Sequence, residues 1–385
     1  MQAVACPLCG ARIGQFLRAV ANRDPMTERA FPSVSVSVCR SCGLIHQNPR
    51  MSRRKVIEHY ATLEDKPGGG VTRDESRSRL AALRLLKSPP SRILEVGSSD
   101  GTFLGLAREA GYDASGLEPS RTNLRRARAG HRGIAFHEGF LEGFRTAERF
   151  DVICHFYVLE YSFDPRRFLA AARRLLRPDG VMLLEVPDAE AFARLPFAAS
   201  LFTHQDISIF TRRTLNAILR TAGFVPMARR LGRASKSYGL RAAAKPGPVA
   251  ARGRAHFRHG LAAMNRYFRR QDAMIARVGR RIGAFHAALL NSKGPVVIFG
   301  AGENGRMVTN AWPGREGREM FFCDNNAALH GRKVDGFKVV APSRVPRLRP
   351  ALVIAASIDY QDDMVRQMRA VGVPRERIVK LYHGI

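Results

Sequence analysis

The chain has 385 residues, too many for one ordinary domain and enough for two or three that each bury a core of their own. With 45% hydrophobic and 25% charged residues, 34 glycines and 21 prolines, its composition excludes a disordered or fibrous chain. The formal net charge of +30 draws anionic partners, whether nucleic acid, nucleotide sugars, anionic glycans or membrane surfaces, but arginines lie in every segment and solvated faces account for the excess equally well.

No apolar run approaches the roughly 18 residues needed to span a bilayer, and the opening MQAVACPLCG lacks the charged-then-apolar order of a signal peptide. The expectation is a cytoplasmic protein with no membrane span. Four of the six cysteines sit in two CxxC pairs, the spacing of a metal site in a reducing compartment rather than of a secreted disulfide framework.

Residues 1–50 hold both pairs, Cys6-Pro7-Leu8-Cys9-Gly10 and Cys39-Arg40-Ser41-Cys42-Gly43, with the alternating stretch Val34 to Val38 read as a strand between them. Four thiolates so placed can converge tetrahedrally on zinc, and the glycine after each pair lets the backbone turn tightly beneath the sulfurs. Cys6, Cys9, Cys39 and Cys42 are therefore expected to hold a structural Zn2+ in a small ribbon, with no open position for a substrate.

Residues 51–90 form a connector and first helix, interrupted by Gly68-Gly69-Gly70 and closed by Pro89-Pro90. Across 91–235 apolar strand patterns alternate with amphipathic helix patterns (ILEVG, FLGLAREAG, ASGLEP, FDVICHFYVL, FLAAARRLL, VMLLEVP), which predicts an α/β domain with a doubly wound parallel sheet. Residues 236–292 read as a helical bridge, with Met264, Met274, Val278 and Ile282 among apolar positions at helical spacing. From 293 to 385 a second alternation (VVIFGAGENG, MFFCDNN, FKVVAP, ALVIAAS) predicts a smaller open α/β domain of Rossmann-like type.

Arg92 to Gly101 is an apolar strand running into a glycine loop and then a helix. Gly97 and Gly101 let a ligand approach the backbone at the carboxyl end of the strand, where doubly wound sheets bind nucleotides. Glu95 in the strand and Asp100 in the loop are awkward beside a pyrophosphate but suit a sulfonium and an amino group. Glu118 ends the next strand, where a carboxylate accepts the two ribose hydroxyls of a nucleoside.

With those motifs, Arg149 to Tyr161 and Leu176-Arg177-Pro178-Asp179-Gly180-Val181-Met182 resemble the fourth and fifth strand motifs of class I S-adenosylmethionine methyltransferases. The resemblance implies that S-adenosyl-L-methionine is the cofactor, that Glu95, Gly97, Ser99, Asp100 and Gly101 line its methionine end, that Glu118 holds the ribose, and that Phe140 lies near the adenine.

The order of ribbon, methyltransferase and terminal nucleotide-type domain resembles, over nearly the full length, the three-part C-methyltransferases that act on deoxysugars carried on a nucleoside diphosphate. In that family a segment after the fifth strand supplies the base, and Phe202 to Phe210 is similar to it, although the usual Glu-His pair reads Gln205-Asp206 and the usual tyrosine reads Ile209. His204 and Asp206 are the candidate bases, since a sugar carbon or hydroxyl must lose a proton as it accepts the methyl group. Tyr157, in an aromatic stretch where the family often carries asparagines and a histidine, is a candidate surface for a sugar ring. The family's carbon is not the sole acceptor open to such a site; oxygen and nitrogen of a related sugar stay open as well.

In the terminal domain Gly300, Gly302 and Gly305 follow a strand and open a helix, and Asp324 ends the next strand. This half-size unit resembles the small domains of sugar-modifying enzymes and is assigned to the nucleotide part of the substrate, with a ligand-free structural role as the alternative. A nucleotide-sugar or other small-molecule substrate is thus expected. Two other readings stand beside it: methylation of RNA, favoured by the ribbon and the charge but not by any interleaving of aromatic and basic residues, and a non-catalytic binding protein that kept the fold.

Overall fold

The computed structural model describes residues 1–23, 30–55, 72–192, 194, 202, 205–250, 256–314, 317–358 and 360–382. They divide into two compact units, one formed by most of residues 1–267 and the other holding residues 268–385. Among the described residues no helix is long and apolar enough to cross a membrane.

The first unit contains two sheets. The smaller orders β1 (Gly14–Arg23), β2 (Ala30–Cys39), β3 (Ile45–Gln47) and, from far along the chain, β9 (Ser208–Ile209). Val34, Val36 and Val38, the alternating residues of the predicted strand, are all buried. Strand β3 pairs antiparallel with both neighbours, so that Ile45 lies opposite Ile209 and His46 opposite Ser208.

The larger sheet runs in the order β10 (Phe224–Pro226), β11 (Gly239–Pro246), β8 (Leu176–Pro187), β7 (Phe150–Phe156), β4 (Arg92–Val96), β5 (Asp113–Glu118) and β6 (Ala135–Glu138). Only β11 runs against its neighbours. The chain winds outward from β4 through β5 to β6, then returns to β7 on the other side of β4. That reversal opens a crevice at the carboxyl ends of β4 and β7, the place where doubly wound sheets bind their ligands.

Helices cover both faces, which explains why the central strands read as continuous apolar runs. Leu94 and Val96 join one core with Ile153, Leu169 and Leu184, while Ile93 joins the other with Phe103, Leu104 and Val152. Local signals begin the helices where expected. Thr72 and Glu75 form a capping box at α1 (Arg73–Leu86), Asp164 caps α4 (Pro165–Leu175) with Pro165 at its first position, and Thr211 caps α6 (Arg212–Thr221). Between these come α2 (Thr102–Glu109), α3 (Arg121–Gly130) and the short α5 (Ala189–Phe192).

Strand β11 falls inside the stretch read from sequence as a helical bridge. Its run of Ala242, Ala243 and Ala244 carries none of the β-branched or aromatic residues that mark a strand, and pairing with β8 decides its conformation. The helix of the bridge, α7 (Phe257–Ala288), follows.

The second unit is a single sheet in the order β14 (Lys333–Val334), β15 (Phe337–Val340), β13 (Met320–Cys323), β12 (Val296–Phe299), β16 (Leu352–Ala355) and β17 (Ile378–Lys380), parallel except for β14. Helices α8 (Glu303–Ala311) and α9 (Gln361–Ala370) accompany it. Met274, Val278 and Ile282 of α7 pack into its core with Val296, Ile298 and Trp312.

Candidate functional site

The glycine loop after β4 is built by backbone geometry that side chains rarely adopt. Gly97, Ser99 and Gly101 have φ of 74°, 49° and 80°. A Cβ on Gly97 would lie 2.6 Å from a methyl of Val158, and one on Gly101 would lie 2.8 Å from the Phe136 ring, so both must be glycine. From the end of β5, Glu118 reaches this loop, accepting from the Ser99 amide at 2.9 Å with one oxygen and from the Ser120 amide at 2.9 Å with the other. Its carboxylate is thereby held in one orientation.

Glu95 sits beneath the loop with only 4% of its surface exposed, and its Oε2 has no hydrogen-bond partner. Burial pushes its carboxyl well above the usual range; Arg79 opposes the shift, and Glu118 and Asp100 add to it. A buried, unpartnered carboxyl beside a glycine loop fits a ligand that brings an amino group and a positive charge. Asp100 is committed differently, accepting from the Thr102 amide at 3.1 Å and its hydroxyl at 2.7 Å at the start of α2. Phe140, 40% exposed, follows Gly139, whose amide bonds the Glu118 carbonyl at 3.2 Å, so the residue predicted for the adenine lies next to the one predicted for the ribose.

Beyond the end of β7 lies a group of aromatic side chains. Tyr157 leaves β7 at φ 59°. Its ring meets that of Tyr238 at 6.0 Å, and Tyr238 meets Phe192 at 4.6 Å. The Lys236 ammonium lies over both tyrosine rings, at 5.2 and 5.8 Å. Below this wall Glu185 is fully buried and accepts from Arg241 Nε at 2.7 Å, Arg79 Nε at 3.3 Å, and the Ser235 amide and hydroxyl at 2.9 and 2.6 Å. Sequence reasoning missed this network, although an acid inside the apolar run VMLLEVP is the same signal that singled out Glu95.

Of the two predicted bases, His204 lies outside the described residues. Asp206 is buried, and its main-chain carbonyl accepts from Gln47 Nε2 at 2.8 Å. A second acid lies beside it. Glu160, in the turn after β7, has no exposed surface and neither carboxyl oxygen hydrogen-bonded, while its carbonyl accepts from the Ile207 amide at 2.9 Å. Burial raises its carboxyl well above the usual range; its own main-chain amide and Lys236 oppose the shift, and the neighbouring Asp206 adds to it. His155 in the same strand is a core residue, edge-on to Phe168 at 5.1 Å and pushed down to about 3 by burial, hence neutral.

A methyltransferase-domain family profile matches residues 72–228, the stretch that builds this crevice. The chain carries a methyltransferase domain. Among curated proteins it is 28% identical over 138 residues to a probable S-adenosylmethionine-dependent methyltransferase of Mycolicibacterium smegmatis, covering 34% of this chain and 51% of the relative. It is 28% identical over 97 residues to a ubiquinone biosynthesis O-methyltransferase of Rhodopseudomonas palustris, covering 24% and 38%. Similarity to the C-methyltransferase NovU of Streptomyces niveus extends further, at 28% identity over 229 residues, 56% of this chain and 51% of that one. The chain thus spans about half or less of the length of these relatives.

Ahead of the methyltransferase domain, Cys6, Cys9, Cys39 and Cys42 bring their sulfurs within 4.8 Å of one another, with Cys6 to Cys42 and Cys9 to Cys39 both at 3.5 Å. Four sulfurs around zinc at the usual bond length of about 2.3 Å are about 3.8 Å apart, so the cluster fits that ion. The two knuckles repeat one another: the Gly10 amide bonds the Cys6 carbonyl and the Gly43 amide the Cys39 carbonyl, both at 2.8 Å, with φ of 76° and 78° at the two glycines.

In the second unit the predicted residues also gather. Gly300 turns at φ 105°, and a side chain on Gly305 would strike the Gly300 carbonyl. Asp324 accepts from the Ala301 amide at 2.8 Å and from the Asn326 amide at 2.8 Å. Gly302 lies in the same loop, as cap of α8.

Proposed function

We propose that this protein transfers the methyl group of S-adenosyl-L-methionine to a sugar, nucleotide-linked or glycan-linked. The observation that carries the reading is the aromatic wall of Tyr157, Tyr238 and Phe192, with the Lys236 ammonium across it, at the carboxyl edge of the sheet that also holds the glycine loop. Sugar rings pack their C–H faces on aromatic rings, and an ammonium pairs with phosphate or carboxylate. The order of cysteine ribbon, methyltransferase domain and terminal α/β unit, and the similarity to a C-methyltransferase over 229 residues, support the same reading.

When bound, the cofactor supplies an electrophilic methyl carbon on a sulfonium. The chain's own residues do the rest. Glu118 would hold the ribose and the buried Glu95 carboxyl would face the positive end. Asp206, next to Glu160, is assigned as the base that takes the proton the acceptor loses, with His204 as a second candidate. The loop of Gly300, Gly302 and Gly305 with Asp324 is assigned to the nucleotide part of the substrate, and Cys6, Cys9, Cys39 and Cys42 to a structural zinc ion.

The test is calorimetric titration of the zinc-loaded protein with S-adenosylhomocysteine, then with nucleoside diphosphates and nucleotide sugars, alongside Glu118→Ala and Asp324→Ala. Loss of cofactor binding in the first variant and of nucleotide binding in the second supports the proposal. Failure of the unmodified protein to bind the cofactor product overturns it, and cofactor binding without any nucleotide directs the search to glycan acceptors.

A further inference from the structure

On the opposite edge of the seven-stranded sheet two adjoining clefts, of about 670 and 430 Å³, share Arg174 as a common wall. Arg166, Arg173 and Arg177 line the larger, and Arg145 and Arg149 the smaller. They lie along α4 and at the amino ends of β7 and β8, where Phe150 pairs with Leu176. Strand β7 separates this edge from the cofactor loop by six residue steps, about 20 Å at 3.3 Å per residue. The clefts are therefore separate from the crevice in which methyl transfer is proposed.

Four of these six arginines are held by main-chain carbonyls. Arg173 donates to the Gly247 carbonyl at 3.1 Å and Arg174 to the Phe144 carbonyl at 3.4 Å. Arg145 donates to the carbonyls of Glu142 and Phe144, both at 3.0 Å, and Arg149 to those of Ala147 and Glu148, at 3.2 and 3.0 Å. Among the described residues only Arg177 of the six meets a carboxylate, Asp151 at 3.5 Å. Elsewhere in the same domain Arg92 pairs with Asp113 and Glu148, Arg121 with Glu138 and Arg77 with Asp74. Main-chain carbonyls thus hold the Arg145, Arg149, Arg173 and Arg174 guanidinium groups without cancelling their charge. Such groups are pre-organised for an anion, and guanidinium favours phosphate because its fork matches two oxygens.

The shape narrows the ligand. Among the described residues neither cleft is lined by an aromatic ring, so they offer no platform on which the bases of a single strand could stack. The floor of the larger is instead aliphatic, from Ala170, Leu176 and Pro178. The recognised feature is therefore charge on a compact anion.

We propose that this arginine-lined pair of clefts is a binding site for a multi-phosphate anion, a di- or triphosphate group, bound apart from the methyl donor. The chemistry is shared by inorganic polyphosphate and by nucleoside triphosphates, and the experiment separates the two.

The full chain is titrated at 0.15 M salt with inorganic tripolyphosphate, with ATP and with a single-stranded 12-mer, and the double variant Arg173→Gln/Arg174→Gln is compared with Arg229→Gln/Arg230→Gln, which removes the same charge elsewhere. The expected result is saturable tripolyphosphate binding that weakens about tenfold or more in the cleft variant, not in the control, and falls steeply with added salt. S-adenosylhomocysteine binding is unchanged in both variants. Tighter binding of ATP than of tripolyphosphate identifies a nucleotide as the source, and equal binding identifies the phosphate chain alone. Absence of saturable binding, equal weakening in the two variants, or preference for the 12-mer overturns the proposal.

Discussion

Glu118, at the end of one strand, accepts a hydrogen bond from the amide of Ser99, in the glycine loop after the neighbouring strand, at 2.9 Å. The bond ties the residue expected to hold the ribose to the loop expected to hold the methionine end, so the two halves of the cofactor site are set by one carboxylate. The second unit repeats the device, with Asp324 and the Ala301 amide at 2.8 Å.

Glu118→Ala should therefore do two things at once. It removes the ribose acceptor and leaves the Ser99 amide without its partner, so S-adenosylhomocysteine affinity is expected to fall at least about tenfold while stability falls by roughly 1–2 kcal/mol. Calorimetry and thermal unfolding measure the two. An affinity loss with unchanged stability would show that the loop does not depend on this bond.

The buried Glu95 carboxyl yields a prediction about pH. Its folded-state pKa lies above the unfolded value, so the stability it contributes is complete below the unfolded pKa and is lost as pH rises through the folded one. Glu95→Gln is accordingly expected to raise the melting temperature at pH 8 and to change it little near pH 4. The sulfonium of S-adenosylmethionine favours the ionised form, and the thioether of S-adenosylhomocysteine does not. The affinity ratio of the two should rise with pH in the wild-type protein and stay flat in Glu95→Gln, which calorimetry at pH 6 and 8 decides.

Removing zinc should reach further than the ribbon. Strand β3, a few residues after Cys42, pairs with β9, and Gln47 of β3 holds the main chain of Asp206. Cys39→Ser is expected to lose the metal and lower the melting temperature, since structural zinc sites contribute apparent free energies of order 10 kcal/mol. Methyl transfer should fall with it, while S-adenosylhomocysteine still binds, because none of the cradle residues comes from the ribbon. Elemental analysis and calorimetry on the same sample test this; retained metal in Cys39→Ser would rule out the four-sulfur site.

The periodic parts of the fold were legible in the sequence. Alternation of apolar strands with amphipathic helices marked both α/β units, and CxxCG repeated twice marked the cysteine cluster, because burial and metal geometry write directly onto residue spacing. The glycine loop and the acids at the strand ends were legible for the same reason, since glycines at positive φ and acids at strand ends are local signals. Strand β11 was not, because its alanines carry no strand propensity and its pairing with β8 is a long-range fact. The Glu185 network was hidden likewise: Arg79, Ser235 and Arg241 come from distant segments that meet only when the sheet is assembled. Glu160 stood in plain view within the fourth-strand motif, but its significance rests on two oxygens left unpartnered, which no sequence pattern records.

That acid supports the last prediction. A buried carboxyl without a partner is a cost that packing alone does not explain, since glutamine or leucine fills the same space without it. Burial, with Asp206 beside it, raises the Glu160 carboxyl well above the usual range, so its contribution to stability, like that of Glu95, is complete at acid pH and declines as pH rises. Glu160→Gln should be at least as stable as wild type at pH 8 and close to it at pH 4.5. If Glu160 tunes Asp206 as the base, the same variant should lose about tenfold or more in turnover of any acceptor the protein methylates and shift the pH at which the rate is half-maximal, with S-adenosylhomocysteine affinity unchanged. A gain in stability with turnover and pH profile untouched would make Glu160 a packing residue and leave the proton to Asp206 alone.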